Sequence, residues 1–327
     1  MAKGAAGDTD GGRPAWFERC VHAMAPLTVL VVLAIVISLK NKQFLTVHNL
    51  ANVLLRNVAL ALIAIGETVV IIAGQIDLGV GSVMALCAVT GALGYAHGQP
   101  LSLAVAEALV VGALAGWVNG IVTAKARMPA FIVTLAMMGL ARGLTLVVTG
   151  ARTVDGPFGQ LEALIDHQVL GVPVAIWLLL VAAVGTHLLL ACTVFGRSTY
   201  ASGSNPVAAR LSGIRVDRGL VLIFCLNGVL VALAGLCQFM QNTSAEPTMG
   251  MGLELDAIAA VVIGGASLSG GQGGVAGTLL GVAIMAVLHN GCNLIGIPNQ
   301  WEKVVIGPLI VLAVLYDRWV KTRRSGR

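Results

Sequence analysis

Long apolar segments separated by short polar ones make up most of the chain. A helix needs about 20 mostly apolar residues to cross a bilayer, and runs near that length recur along the sequence. They fall at 21–39, 51–73, 78–96, 101–124, 130–149, 173–194, 219–240, 254–267, 275–292 and 303–317. Two of these runs are short, so the pattern predicts an all-α polytopic membrane helix bundle of about ten transmembrane helices.

Composition and charge distribution favour a membrane protein with both termini in the cytoplasm. Hydrophobic residues make up 57% of the 327 positions and charged residues only 11%, against about 25% charged in soluble domains. Most of the 20 Lys and Arg residues fall in three segments, 1–20, 196–218 and 318–327. Cytoplasmic loops carry such an excess, although Lys40 and Lys42 would lie outside. The net charge of +5 is thus explained by topology, and we expect no nucleic-acid partner.

The same pattern divides the chain into three parts. Residues 1–20 form a polar leader that we expect to be disordered in the cytoplasm. Residues 21–320 form the transmembrane domain, and residues 321–327 form a basic cytoplasmic tail. Within the fourth predicted span, Gly112, Gly116 and Gly120 recur every four residues, a spacing that favours close packing of another helix.

Two junctions between predicted spans are rich in glycine, at 74–82 and at 264–274. Backbone groups freed by a broken helix survive in a membrane only where protein or water satisfies them. Matching interruptions in two halves of a chain are typical of a transport path, whereas the alternative is a pair of tight turns. The candidate broken-helix and pathway residues are Glu67, Gln75, Asp77, Gly81, Ser82, Ser267, Ser269 and Gln272.

The loop at 196–218 carries the clearest local signal. Asn205 and Pro206 predict a helix start, with the Asn205 side chain as the cap and Pro206 at the first helical position. The helix should end at Ser212-Gly213. A short cationic helix of this kind suits docking on a cytoplasmic partner; the alternative is a solvated basic loop. The candidate coupling residues are Arg197, Asn205, Pro206, Ala208, Ala209, Arg210, Gly213, Arg215 and Asp217.

The sequence offers no catalytic machinery. It contains no G-x-x-x-x-G-K-[ST] phosphate loop and no His/Cys/Glu metal cluster. Its six cysteines follow no metal or disulfide spacing. We therefore expect no enzyme, no metal site and no cofactor on this chain. Ionisable residues within spans are costly and usually face the protein interior, so we expect a lining or structural role for Glu67, with proton coupling as the alternative. The other such residues are Asp77, Glu107, Arg142, Glu254, Asp256 and His289.

Four segments resemble the signatures of permeases from ribose-, arabinose- and xylose-type sugar ABC importers. They read G-Q-I-D-L-G-V-G-S from Gly74, G-S-N-P-V-A-A-R-L-S-G-I from Gly203, V-I-G-G-A-S-L-S-G-G-Q-G from Val262 and P-A-F-I-V-T-L-A-M from Pro129. The resemblance covers about residues 45 to 320. The chain departs from the family pattern at Val207, where Glu is usual, and at Gln75 and Gly79, where Gly and Ser are commoner.

The resemblance implies a permease domain in a bacterial inner membrane, working with several partners. A second permease chain, identical or a sister, would complete the channel within the membrane lipid. Cytoplasmic ATPase subunits would bind ATP and magnesium and seat the motif Ala208-Ala209-x-x-x-Gly213, and a periplasmic binding protein would deliver the sugar or sugar-like molecule. The alternatives are an ABC permease for branched-chain amino acids or nucleosides, and an ion-coupled secondary transporter. One sequence does not identify the substrate.

Overall fold

The computed structural model describes residues 15–298 together with Trp301, Val304, Gly307 and Pro308, and side chains from residue 26 onward. Its helices are α1 (Ala15–Lys40), α2 (Val47–Arg56), α3 (Val58–Ile72), α4 (Val80–Ala96), α5 (Leu101–Lys125), α6 (Ala130–Thr149), α7 (Gly159–Ile165), α8 (Val174–Cys192), α9 (Val194–Ser204), α10 (Pro206–Leu211), α11 (Val216–Asn242), α12 (Leu253–Ile263) and α13 (Val275–Ile295). A two-residue hairpin pairs β1 (Gln168–Val169) with β2 (Val172–Pro173). The fold is a mostly helical bundle, as predicted.

Helix length and hydropathy identify fewer spans than the sequence pattern predicted. In the part of the chain that the structure describes, α5, α6, α8, α11 and α13 are long and apolar enough to cross a membrane. The bent pair α2 and α3 would make a sixth span. Nine of the ten predicted runs coincide with helices, but α4 and the part of α1 whose side chains are described (Pro26–Lys40) are shorter apolar helices, and α12 has only 11 residues. The tenth run falls mainly outside the described residues, as do the predicted leader over most of its length and the tail.

The second predicted span, 51–73, is not one straight helix. It is divided between α2 and α3, which meet at an angle of 49°. At the bend, the Asn57 side chain donates a hydrogen bond to the Val53 carbonyl at 2.7 Å. The backbone of Asn57 departs from the helical conformation. None of the residues of α2 is buried, whereas every residue of α3 is. The apolar run therefore combines a surface helix with the central helix of the bundle.

Helix α11 packs against α5 along the glycine repeat. A Cβ on Gly112 would collide with the Gly228 carbonyl, and a Cβ on Gly116 would collide with the carbonyl of Phe224. Gly120 faces Val221 in the same way. Since backbone meets backbone along this seam, the predicted close packing of the fourth span is confirmed.

The loops after α6 and α11 meet at the end of the bundle opposite α10. Val154 and Ala245 form an antiparallel bridge with N–O distances of 2.9 and 3.1 Å. Phe158, just before α7, lies between Tyr95 and Phe239, with ring centroids 6.1 and 4.9 Å away. The short helix α7 therefore has its apolar side, Leu161 and Ile165, held against the bundle.

We predict that Gly116→Ala destabilises the fold through this seam. The added methyl group would force α5 away from α11, and overpacking of this kind costs about 1–3 kcal/mol. The thermal midpoint of the full chain in detergent should fall.

Gly185→Ala in α8 is the matched control, because a Cβ there meets open space. Its midpoint should hold or rise slightly, since Ala is the better helix former. Equal midpoints for the two variants would contradict the close approach of the two backbones.

Candidate coupling helix and glycine-broken junctions

The predicted loop helix is present as α10. The Asn205 side chain accepts hydrogen bonds from the backbone N–H of Val207 at 3.1 Å and of Ala208 at 3.0 Å. Pro206 occupies the first helical position. Gly213, with φ of +83°, follows the helix and permits the reversal into α11. The cap, the first residue and the stop are all where the sequence placed them.

Helix α10 presents most of its surface outward. Only Ala209 is buried, while Val207 is 64% and Leu211 85% exposed. Arg210 and Asp217 form an ion pair, with Nη2 and Oδ1 2.8 Å apart and both side chains at least half exposed. The cation at Arg210 is thus tied to the start of α11, a contact that spacing alone did not reveal.

A groove of about 430 Å³ runs beside this helix, between α9 and α11. Its walls are mostly apolar, and its polar groups include Ser198, Ser212, Arg215 and Arg218. Arg197 is exposed on the neighbouring α9. Of the basic residues in this loop, Arg215 and Arg218 therefore line one concave surface next to α10, whereas Arg197 and Arg210 do not line it.

The first broken junction, between α3 and α4, turns back into the middle of the bundle. After the end of α3, Gly74 adopts φ of +74° and reverses the chain. Asp77 then lies beside Glu67, ten residues earlier, and its backbone N–H donates to Glu67 Oε1 at 3.0 Å. Helix α4 therefore begins partway along the bundle, where Gly81 lies against Gly250.

Asp77 is the centre of a buried polar network. Its Oδ1 accepts from the Gly79 N–H at 2.8 Å, and its Oδ2 accepts from Asn227 Nδ2 at 3.0 Å. The Asn119 side chain also hydrogen bonds to this carboxylate. At the next residue, Thr134 Oγ1 of α6 accepts from the Leu78 N–H at 3.0 Å. Side chains from α5, α6 and α11 thereby hold the extended segment in place.

The second broken junction, between α12 and α13, is stabilised by backbone contacts. The Ser267 N–H donates to the Gln272 carbonyl at 3.1 Å, and Ser267 Oγ accepts from the Ser269 N–H at 3.2 Å. Ser267 is buried, whereas Ser269 and Gln272 are exposed. The three candidate residues of this segment therefore lie in one loop with different access to their surroundings.

The two broken junctions meet each other and the helix that leads to α10. The Gly271 N–H donates to the carbonyl of Ile72, the last residue of α3, at 2.8 Å. A Cβ on Gly270 would meet Gly74 and the carbonyl of Gly203 at the end of α9. Tyr200, also on α9, donates to the Gly273 carbonyl at 2.8 Å. The glycine turns of both junctions are thus brought together with α9 at one end of the bundle, while Glu67, Asp77 and Gly81 lie further inside it.

A polar cavity of about 350 Å³ lies at the opposite end. Its polar lining includes Arg56, Asn57, Gln238, Asn242, Glu246 and His289. Nearby, Arg142 of α6 donates to the backbone carbonyls of Pro247 and Met249 and interacts with Glu254. Arg142, which the sequence places in mid-span, therefore holds the loop between α11 and α12 at this end of the bundle.

Several residues of the site were not among the predicted site residues. Asn119 and Asn227 contact Asp77, and Thr134 bonds to the backbone of the first junction. Tyr200 and Gly203 of α9 contact the second junction. The two asparagines carried a signal, because an amide inside an apolar helix is expensive and usually bonds across helices. Nothing in the spacing identified their partner.

A family model described as branched-chain amino acid transport system / permease component matches residues 49–314. The match spans the whole arrangement from the start of α3 to the end of α13. The chain belongs to this permease family. Sequence relatives agree with the family over nearly the full length of the permease.

The ribose import permease protein RbsC of Escherichia coli K12 is 40% identical over 313 residues, covering 94% of this chain and 98% of the relative. RbsC of Bacillus subtilis is 44% identical over 311 residues, covering 92% and 94%. The autoinducer 2 import system permease protein LsrC of Escherichia coli K12 / DH10B is 37% identical over 289 residues, covering 88% and 84%. The expected resemblance to sugar importer permeases is therefore confirmed.

We predict that Asp77→Ala destabilises the first junction. The substitution leaves buried N–H groups of Gly79 and Asn227 without an acceptor, and each orphaned donor costs about 1–3 kcal/mol. The thermal midpoint of the purified chain should fall clearly.

Asp217→Ala is the control, because it removes a carboxylate whose surface ion pair contributes about 0–1 kcal/mol. An Asp77→Ala midpoint as high as that of the control would show that Asp77 is only a turn residue.

Proposed function

We propose that the permease is the membrane subunit of an ATP-driven importer and forms the translocation path for a sugar or sugar-like molecule. The main support is its likeness, over more than nine tenths of the chain, to ribose import permeases from two bacteria. A periplasmic binding protein delivers the substrate, and a separate cytoplasmic subunit hydrolyses ATP. The chain itself contributes a path and no catalytic group or cofactor.

The exposed helix α10 is the proposed contact with the ATPase. Its cap fixes the direction of the helix, and its apolar side chains Val207 and Leu211 stand open to a partner. Arg215 and Arg218 add positive charge in the adjoining groove. Val207 stands where the family usually has an acid, so the contact at this position is apolar in this permease.

The cavity opposite α10 is the proposed entrance for the substrate. Amides, a carboxylate and a guanidinium line it, and these groups recognise hydroxyl groups by donating and accepting hydrogen bonds. Because a sugar is neutral, a cavity with few charged groups is suited to bind it. The substrate then passes toward the two glycine-broken junctions, which lie at the α10 end.

The proposed topology has about ten spans, with both chain termini and α10 in the cytoplasm. In each of the helices α5, α6 and α8, only 28% of an apolar stretch of 18 residues is buried within the described part of the chain. Their open faces suit lipid and a second permease chain, identical or a sister. The assembly would lie in the inner membrane of a bacterium.

The substrate class has two candidates within this proposal. The ribose import permeases support ribose, and the autoinducer 2 import permease supports autoinducer 2. Uptake of labelled ribose, in competition with an excess of either compound, separates them. Branched-chain amino acids and nucleosides should not compete.

We predict that a P-loop ATPase copurifies with the permease from its native membrane. Uptake into energised vesicles supplied with the binding protein should be stopped by vanadate, because transport depends on ATP hydrolysis. Vesicles held at a fixed internal ATP concentration should resist a proton ionophore. Uptake that survives vanadate and collapses with the ionophore would favour an ion-coupled secondary transporter.

We also predict that Arg210→Glu lowers uptake and ATPase binding while the membrane fold remains intact. It sets a carboxylate beside Asp217 and reverses the charge offered by α10.

The double variant Arg210→Glu, Asp217→Arg restores the ion pair with its direction reversed. If the cation on α10 contacts the ATPase, this variant stays as weak as Arg210→Glu. Full recovery would instead show that the ion pair only stabilises the loop. Normal uptake in the single variant would contradict both roles.

A further inference from the structure

Two carboxyl groups lie inside the bundle without a basic partner. Glu67 is fully buried and Asp77 is 5% exposed. Among the described residues, no Lys, Arg or His nitrogen forms an ion pair with either of them. The side chains that hydrogen bond to Asp77 from α5 and α11 are those of Asn119 and Asn227, and both are neutral. Two adjacent charges in this setting would be strongly unfavourable, because both lose their hydration and repel each other.

Asp77 is well equipped to remain ionised. Three donors point at its two oxygens, namely the Gly79 N–H and the amides of Asn227 and Asn119. Hydrogen bonds of this kind stabilise a carboxylate. A proton on Asp77 would weaken several of them at once.

Glu67 lacks such donors on one of its oxygens. Its Oε1 accepts from the Asp77 N–H, while its buried Oε2 has no hydrogen-bond partner. The buried Oδ1 atoms of Asn227 and Asn119 are also without a partner. Asn227 Oδ1 lies against Gly66, the residue next to Glu67 on α3. Three buried acceptors on Glu67 and the two asparagines therefore lack a donor, and a hydrogen bound to one of them would supply it.

We propose that Glu67 holds a structural proton at neutral pH and that Asp77 stays ionised. The proton sits on Glu67 Oε2 and is donated to the amide oxygen of Asn227. It satisfies two of the unpartnered oxygens and removes one of two buried charges. Since α3 is enclosed on all sides, the proton stays in place and is not carried with the substrate. The rival is a monovalent metal cation bound to the same oxygens.

Infrared spectroscopy of the full chain in lipid nanodiscs tests this proposal. A protonated carboxylic acid gives a carbonyl stretch above the amide I band, and labelling with ¹³C-glutamate shifts that stretch only when the acid is Glu. We expect a label-sensitive band at neutral pH. It should be lost in Glu67→Gln and kept in Glu162→Gln, which changes an exposed glutamate of α7.

Thermal unfolding gives a second measurement that does not depend on the band. Gln resembles the neutral acid in shape and can donate from the same position, so Glu67→Gln should keep a midpoint close to wild type. Asp77→Asn should lower the midpoint, because one acceptor becomes a donor among three donors. Sodium, potassium and choline salts should give the same midpoint for the wild-type chain.

Four results would overturn the proposal. One is the absence of a label-sensitive band in the wild type, and another is a band that disappears in Asp77→Asn and remains in Glu67→Gln. The third is failure of Glu67→Gln to fold while Asp77→Asn folds, which would mean that the charge belongs to Glu67. The fourth is a midpoint that rises with sodium or potassium and not with choline, which would assign the cluster to a metal cation.

Discussion

Backbone N–H and C=O groups inside a bilayer need partners from the protein, and this requirement governs where polar residues occur in the permease. In the helices, the chain meets the requirement by itself. In the segment after α3 it does not, and the N–H groups of Asp77, Leu78 and Gly79 instead find Glu67, Thr134 and the Asp77 side chain. The scarce polar side chains thus make it possible for a non-helical segment to exist in the apolar interior.

Glycine residues allow the backbone segments of the two junctions and α9 to approach one another closely. Gly74, Gly203 and Gly270 bring three backbone segments within contact distance, and a side chain on either Gly203 or Gly270 would separate them. Gly203 is on the helix that continues directly into α10. Contacts between backbones have no flexible side chain to absorb a displacement, because packed interiors are nearly incompressible. A movement of α10 therefore reaches both broken junctions through α9 or else breaks this contact.

The sequence predicted local features well and long-range ones poorly, for a physical reason. The cap at Asn205, the stop at Gly213 and the seam along Gly116 each depend on neighbours within a few residues or on one helix face. The pairing of Asp77 with Asn227 joins positions 150 residues apart, and apolar periodicity does not encode it. The bend at Asn57 was missed because apolar residues flank Arg56 and Asn57 on both sides and together resemble one run, although the backbone direction changes there.

The hydrogen bonds that the buried polar groups already form also limit which residues can contact a substrate. Asp77 already uses both oxygens on donors from its own chain, and Glu67 is enclosed within α3. A buried group that already hydrogen bonds within the protein binds a sugar hydroxyl poorly, because it would first have to break that buried hydrogen bond. Among the residues of the broken junctions, Ser269 and Gln272 are exposed. We infer that substrate contacts come from such accessible groups, while the buried acids maintain the shape of the junction.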